Sequence, residues 1–355
     1  GRIMNLLVTH RELDMAGYDM LQRLSYDSDF NIYVTFSSER QRANIGGRCI
    51  ALSLPEIRSK VEWQVIKLLR RYVRQYAIDV IFSPGSAGLS NALLASIGTS
   101  ARNVGYRGTQ AKVRRSDPTY YLGILNPRVR HIVCETEDIR EYLQRFIAPN
   151  RLSVNLKPVD VDWVKEACQH PVKVSGVPSD AVTCVYVGCC KGRPFKGLQL
   201  FIEAFGLIAD TRAHMVFVGD CDDADIELAR KSPAADRIHL EGFQTNALAY
   251  LPGAHIFVLP SLRDASPRVV REAMACGLPC VVSNIPGARD LLLDGETGLL
   301  FRSGDAADLA AKLQRLIADE KLRQVMGQAG RQRIIRDFKV DDYVNRFRNL
   351  FLSLK

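Results

Sequence analysis

The chain has 355 residues, of which 47% are hydrophobic and 25% charged, with a formal net charge of +9. That length exceeds one ordinary core and suits two domains. The composition excludes large-scale disorder, and no apolar run is long enough to span a bilayer. From Met4, NLLVTH reads as a buried strand and Met15 to Ser25 as the helix after it. Asn31–Phe36 and Cys49–Leu54 read as strands, and Glu56–Ala77 as one long helix. Ile78–Ser83 is then a strand closed by the turn Pro84-Gly85-Ser86, with short strands at Asn103–Tyr106 and Ile132–Cys134. Strands alternating with helices predict a parallel, doubly wound α/β domain, whose ligands bind at the carboxyl ends of its strands. The loops after Val8, Ser83 and Tyr106 are the places to look.

A stretch rich in Pro, Ser and Gly, His170 to Asp180, breaks the pattern, which then restarts. Strands are expected at Val182–Val187, His214–Gly219, Ile238–Leu240 and His255–Leu259, and helices at Gln199–Ala209, Asp223–Lys231 and Ala306–Ala318. Tyr343, Phe347 and Phe351 give the tail an aromatic helical face that needs something to pack on. The expected division is an N-terminal domain over 1–165, a linker over 166–180, a second α/β domain over 181–337 and a tail helix over 338–355. Two Rossmann-like domains facing across a cleft is the expected architecture.

The N-terminus has no signal-peptide core, Met4 reads as the natural start, and the nine cysteines match no zinc spacing. A cytosolic protein with reduced thiols is expected. Through Arg151 there are 22 basic and 14 acidic residues, a surplus of eight, against 26 and 25 in the remainder. A basic first half suits a phosphorylated acceptor, an anionic lipid surface or nucleic acid. Basic patches without interleaved aromatics or a known binding motif argue against the last.

Leu259 to Leu293 carries the strongest local signal. A strand ends at Pro260, a loop carries Asp264, Ser266 is a suitable N-cap and Pro267 suits the first helical position. The first amides of that helix, on Arg268 and Val269, suit a phosphate, and Glu272, one turn on, suits a neighbouring hydroxyl. The loop Gly188–Gly197 follows a strand and carries Lys191, Arg193 and Lys196, which suits a pyrophosphate equally as it suits a solvated basic turn. No Gly-Lys-Ser/Thr ends it, so it is not a Walker A loop. Asp220–Asp225 offers a metal-like Asp-x-Asp spacing, but N-capping of the next helix explains it better. Glu56–Tyr76 has one apolar and one cationic face, as expected of a helix covering a sheet or lying on an anionic membrane. Tyr106-Arg107-Gly108-Thr109 follows another strand and could present Arg107 to a phosphate or an acidic acceptor. His10, at the end of the first strand, is a candidate general base or a structural histidine.

The Leu259–Leu293 stretch and the basic loop together resemble the family 4 retaining nucleotide-sugar glycosyltransferases of GT-B fold. Asp264 and Glu272 have seven residues between them, as in that family's Glu-x7-Glu element. EAMACGLPCVVSNIPG, Asp294-Gly295-Glu296-Thr297-Gly298 and Leu299-Leu300-Phe301 are also similar to it, as are Asn155–Val161, Leu125–Val129 and Cys134–Tyr142 more weakly. The resemblance implies that Asp264 meets the donor sugar and Glu272 the ribose. It implies that Ser266, Pro267 and the amides of Arg268 and Val269 meet the phosphates, beside the strand-end glycines Gly188 and Gly219. Lys196 and Arg193 would neutralise the leaving pyrophosphate, with no metal or other cofactor. Gly17, His10, Arg107 and Thr109 would lie toward the acceptor, and the tail helix would cross back to the N-terminal domain.

Three positions depart from the family. Asp264 is one methylene shorter than the usual Glu, Cys189 stands for the usual Arg, and Gly17 is alone where a double-Gly loop is usual. The implied activity is retaining transfer of a sugar from a nucleotide diphosphate-sugar to a glycan or lipid-linked hydroxyl, in bacterial lipopolysaccharide or surface-polysaccharide synthesis. The implied setting is the cytoplasm, with peripheral contact to the inner membrane left open. A catalytically weakened sugar-nucleotide-binding protein and a GT-B-fold epimerase are the alternatives.

Overall fold

The computed structural model describes every residue except Ala265 and Ser266. The chain forms two compact units, Gly1–Pro158 with Val340–Lys355, and Val159–Lys339. In chain order the first holds β1 (Met4–Val8), α1 (Met15–Leu24), β2 (Phe30–Phe36), α2 (Glu39–Asn44), β3 (Ile50–Ser53), α3 (Trp63–Gln75) and β4 (Val80–Ser83). It continues with α4 (Ser86–Ala95), β5 (Arg102–Arg107), β6 (Val129–Cys134), α5 (Glu137–Leu143) and β7 (Leu152–Val154). The second unit holds α6 (Val161–Ala167), β8 (Val182–Val187), α7 (Leu198–Gly206), β9 (Ala213–Val218), α8 (Asp223–Lys231) and β10 (Ile238–Leu240). It then adds β11 (Ile256–Leu259), α9 (Arg268–Ala275), β12 (Cys280–Ser283), β13 (Gly298–Phe301), α10 (Ala306–Ile317) and α11 (Glu320–Asp337). The last helix, α12 (Val340–Ser353), returns to the first unit.

Both sheets are parallel, with strand orders β3-β2-β1-β4-β5-β6-β7 and β10-β9-β8-β11-β12-β13. Each is doubly wound, and each reverses direction once, between β1 and β4 and between β8 and β11. Crevices at the carboxyl ends of those strands are where such sheets take ligands.

The period-2 alternation of a strand sorts the first unit's core. Met4, Leu6 and Val8 face one layer with Tyr18, Leu21 and Leu24 of α1, whereas Leu7 faces the other with Val65, Leu69 and Val73 of α3. The tail's aromatic face is buried in the first layer. Phe347 and Phe351 pack on Phe82 with ring centroids 5.4 and 5.6 Å away, and Arg348 bonds Asp27 and Asp29 at 2.6 and 2.7 Å. Asn155 ties the segment before the second unit to the same helix through Tyr343 O, at 3.1 Å.

Several sequence expectations are corrected. The long helix expected from Glu56 begins only at Trp63. Ahead of it Leu54 and Ile57 are buried by an irregular crossing whose polar groups find tertiary partners, Arg11 bonding Ile57 O and Asn91 Oδ1 accepting from Glu62 N. Helix α4 was not expected, because eight of its ten residues are buried and it shows no polar face. Val161–Ala167, divided by sequence between the first domain and the linker, form α6, which packs on α9 and belongs to the second unit.

Candidate functional site

In the second unit the loops after β8 and β11 meet at the point where the strand order reverses. Leu262 N donates to Phe195 O at 2.7 Å, and Ser261 Oγ and the Tyr186 hydroxyl both donate to Lys196 O, at 3.4 and 3.1 Å. Burial raises the Tyr186 hydroxyl well above its usual pKa, so it stays a neutral donor. The two loops touch because residue 197 is glycine. Its φ is +79°, and a Cβ there would stand 2.1 Å from Pro260 O. Gly219 does the same for the loop after β9. Its φ is +149°, and a Cβ would stand 1.7 Å from Gly188 O. Gly188 and Gly219 are thus adjacent for a steric reason.

This backbone framework brings Lys196 Nζ to 3.2 Å from Asp264 Oδ2, both side chains being mostly buried. Arg193 starts the short 3-10 turn over Pro194–Lys196 and is exposed. Arg263 lies 4.2 Å over the ring of Phe195 and braces the turn from the β11 side. The acidic run Asp220–Asp225 acts as a cap and an anchor. Asp222 and Asp225 form a reciprocal capping box at the start of α8, and Asp222 also accepts from Gly192 N at 3.0 and 3.1 Å. The basic loop is therefore pinned by the carboxylate that caps the neighbouring helix.

Helix α9 begins at Arg268, with Pro267 outside the helix at φ −71°, ψ 105°. The N-cap assigned by sequence to Ser266 lies outside the described residues. The leading amides of α9 have no partner within the helix itself, as at any helix start. Arg268 Nε is 3.4 Å from Glu272 Oε1, one turn on, and the guanidinium lies 5.0 Å over the ring of Trp163 of α6. Glu272 is buried, and that burial raises its pKa against the pull of Arg268 and Arg271. The sign follows. The folded state holds this proton more tightly than the unfolded one, so stability falls as pH rises from the ordinary value of 4.5 through the raised value. Glu272→Gln is expected to raise the melting temperature at pH 8 but not at pH 4, measured by thermal denaturation at both. An equal shift at both pH values would exclude ionisation as its cause.

Sequence reasoning missed Phe195, Ser261, Tyr186 and Trp163 as parts of this site. No motif flags them, because they act through contacts between elements distant in the chain.

In the first unit a cavity of about 510 Å³ opens at the ends of β1, β4 and β5, in the three loops singled out by sequence. Gly17, Arg107 and Thr109 line it with Glu12, Asp14, Tyr106, Glu135 and Lys157. Lys157 bridges Asp14 and Glu135, at 2.9 Å from Glu135 Oε1. Burial disfavours its charge, but the two carboxylates outweigh that and raise its pKa. Arg107 is buried and donates to Ala111 O at 2.8 Å. Three carboxylates face two cations in this cavity, so the positive surplus of the first half lies on the unit's outer surface. His10 is not among the lining residues. It is buried, its Nδ1 is 2.8 Å from Thr35 Oγ1, and burial lowers its pKa to about 4.

Residues 181–319 match the family described as glycosyl transferases group 1. Over 165 residues the chain is 27% identical to N-acetyl-alpha-D-glucosaminyl L-malate synthase of Bacillus anthracis, covering 46% of this chain and 43% of that one. It is 26% identical over 178 residues to the lipopolysaccharide core biosynthesis glycosyltransferase LpsE of Rhizobium meliloti, covering 50% and 51%. The matches thus span only about half the length of these relatives. Anabaena HepE in complex with UDP superposes with a TM-score of 0.79 at 14% identity, covering 99% of this chain and all of that one. Residues 181–319 are thus similar to the glycosyl transferases group 1, within a chain that carries the two-domain α/β fold of the GT-B glycosyltransferases.

Proposed function

We propose that the chain is a retaining, family 4-type glycosyltransferase that moves a sugar from a nucleotide diphosphate-sugar to a hydroxyl of a glycan or lipid-linked acceptor. The observation that carries this is the Lys196–Asp264 pair at the β8/β11 reversal, with α9, which carries the Arg268–Glu272 pair, following the same strand. The diphosphate lies against the amides of Arg268 and Val269, and Glu272 holds the ribose. Lys196 and Arg193 meet the charge that develops on the departing pyrophosphate, which needs fixed donors in a shielded place. These groups supply the charge without a metal. Asp264 contacts the donor sugar. Its pairing with Lys196 fixes both side chains before substrate arrives, which lowers the reorganisation the reaction needs. Attack by the acceptor on the face the leaving group vacates retains the anomeric configuration, with a donor phosphate oxygen taking the proton. The first unit's cavity, with Gly17, Arg107 and Thr109, receives the acceptor.

Lipopolysaccharide or surface-polysaccharide synthesis on the cytoplasmic side is the proposed setting, in line with the name of the Rhizobium relative. Among the described residues no helix is long and apolar enough to cross a membrane.

The test is a thermal-shift panel of UDP-, GDP-, ADP- and CMP-sugars. One nucleotide is expected to stabilise the protein by mass action, with UDP-sugars first in the panel because the HepE complex holds UDP. Anomeric NMR of the product then reads retention. Stabilisation by none of the four would overturn the donor assignment. Binding without turnover would leave a sugar-nucleotide-binding protein, and release of free sugar without acceptor would indicate an epimerase.

A further inference from the structure

We propose, resting on the assignment of the first unit's cavity to the acceptor, that Tyr106 and Glu135 together bind a hydroxyl of an uncharged sugar there. The same cavity turns away an acceptor that enters with a phosphate or a carboxylate. The two side chains come from neighbouring strands. Tyr106 belongs to β5 and Glu135 follows β6, and the strands meet where Glu135 N donates to Arg107 O at 3.0 Å. Tyr106 lines the cavity, yet its hydroxyl is buried and makes no hydrogen bond of ordinary geometry. Burial, and then the charge of Glu135 beside it, raise its pKa well above the usual phenol value, so it remains a neutral donor. Buried hydroxyls are ordinarily paired, and leaving one open costs stability. A donor left open in a cavity wall marks the place of a ligand.

Glu135 supplies the complement. It is buried, and its Oε1 is 2.9 Å from Lys157 Nζ. Its other oxygen is kept clear by Gly108, where a Cβ would stand 3.2 Å from Glu135 Oε2 and 3.2 Å from Tyr106 Cε1. Gly85 does the same at the neighbouring loop, where a Cβ would stand 2.8 Å from Glu12 Oε2. A phenol donor beside a carboxylate acceptor suits a group that both donates and accepts, as a sugar hydroxyl does. An ionised phosphate or carboxylate only accepts. The cations of the cavity do not offset this. Lys157 is held between Asp14 and Glu135, Arg107 donates to Ala111 O, and one carboxylate is in excess. An anionic acceptor would therefore meet like charge, which recognition sites use to reject a ligand. Phe82, Leu89, Ile124 and Phe347 line the same cavity and give the C–H face of a pyranose an apolar wall. The phosphorylated acceptor suited by the basic first half thus meets the wrong charge here.

The test titrates the full chain, without donor, by saturation-transfer NMR. The probes are the methyl glycosides of glucose, galactose and mannose, the 6-phosphates of the same sugars, and glucuronic acid. At least one neutral glycoside is expected to bind, and its phosphate to bind at least about tenfold more weakly. Glu135→Gln is expected to weaken the neutral sugar about tenfold and to strengthen the phosphate, two changes of opposite sign that a loss of packing would not produce. Tyr106→Phe is expected to weaken the neutral sugar by about two- to tenfold while its melting temperature stays the same or rises, because the open hydroxyl is gone. Donor stabilisation in the thermal-shift panel is expected to be the same in both variants as in the unmodified chain, so failure of the donor assignment is read separately. Binding of none of the neutral glycosides, or equal or tighter binding of the phosphates, would overturn the proposal. So would a neutral-sugar signal kept in full by both variants, which would place the sugar elsewhere, or a lowered melting temperature in Tyr106→Phe, which would give the hydroxyl to the fold.

Discussion

A Lys196→Ala variant is expected to lose about 10²–10³-fold in kcat/KM for the sugar donor, as removal of one preorganised donor to a developing anion does elsewhere. The expected loss is large because, among the described cations of this loop, Lys196 is the better placed. Arg193 is exposed at the start of the turn, whereas Lys196 is mostly buried and held at its carbonyl by Tyr186 and Ser261. Those bonds involve the backbone, so the truncated variant keeps the turn. The effect should therefore be read in rate and not in melting temperature. Lys196→Arg should recover only part of the loss, since a planar fork does not replace a point charge 3.2 Å from Asp264 Oδ2. Steady-state kinetics with the stabilising donor measures it. A rate equal to that of the unmodified chain would remove Lys196 from the mechanism.

Gly197→Ala is expected to destabilise the second unit by about 3–5 kcal/mol, combining a left-handed backbone with a clash against a buried backbone neighbour. The added methyl would stand 2.1 Å from Pro260 O, a backbone atom fixed at the end of β11. Relief requires the β8 and β11 loops to part, which also moves Lys196 away from Asp264. Chemical denaturation should show the loss of stability, and any surviving folded protein should bind donor more weakly. Gly192→Ala is the control. Its φ is also positive, at +68°, but nothing lies within 4 Å of the new Cβ, so only the smaller backbone cost of roughly 1 kcal/mol is expected. Equal effects at the two positions would show that the close approach is not what residue 197 is for.

The second unit was the more legible of the two in sequence. Its strands are short, apolar and β-branched, and its loops carry chemistry in consecutive residues. Gly188–Gly197 and Asp264–Glu272 could therefore be picked out without a structure. The first unit was less legible where its elements are buried all round. Helix α4 has no polar face to betray its period, and the stretch before Trp63 has helical spacing but bonds its polar groups to Arg11 and Asn91. The cavity's charge was not legible either. Glu12 and Asp14 lie near one another in the chain, but Glu135 and Lys157 reach the cavity from β6 and the segment after β7. A count over 151 residues could not reveal that the cations face outward.

The sequence by itself determined the two parallel α/β units, the strand-end loops and the helix after Leu259, because periodicity and helix punctuation are local properties. Tertiary structure alone decided that Lys196 meets Asp264, that Asp222 pins the basic loop, and that Phe347 and Phe351 close over Phe82. These pairs are separated by tens to hundreds of residues, and only the strand order sets which loops become neighbours.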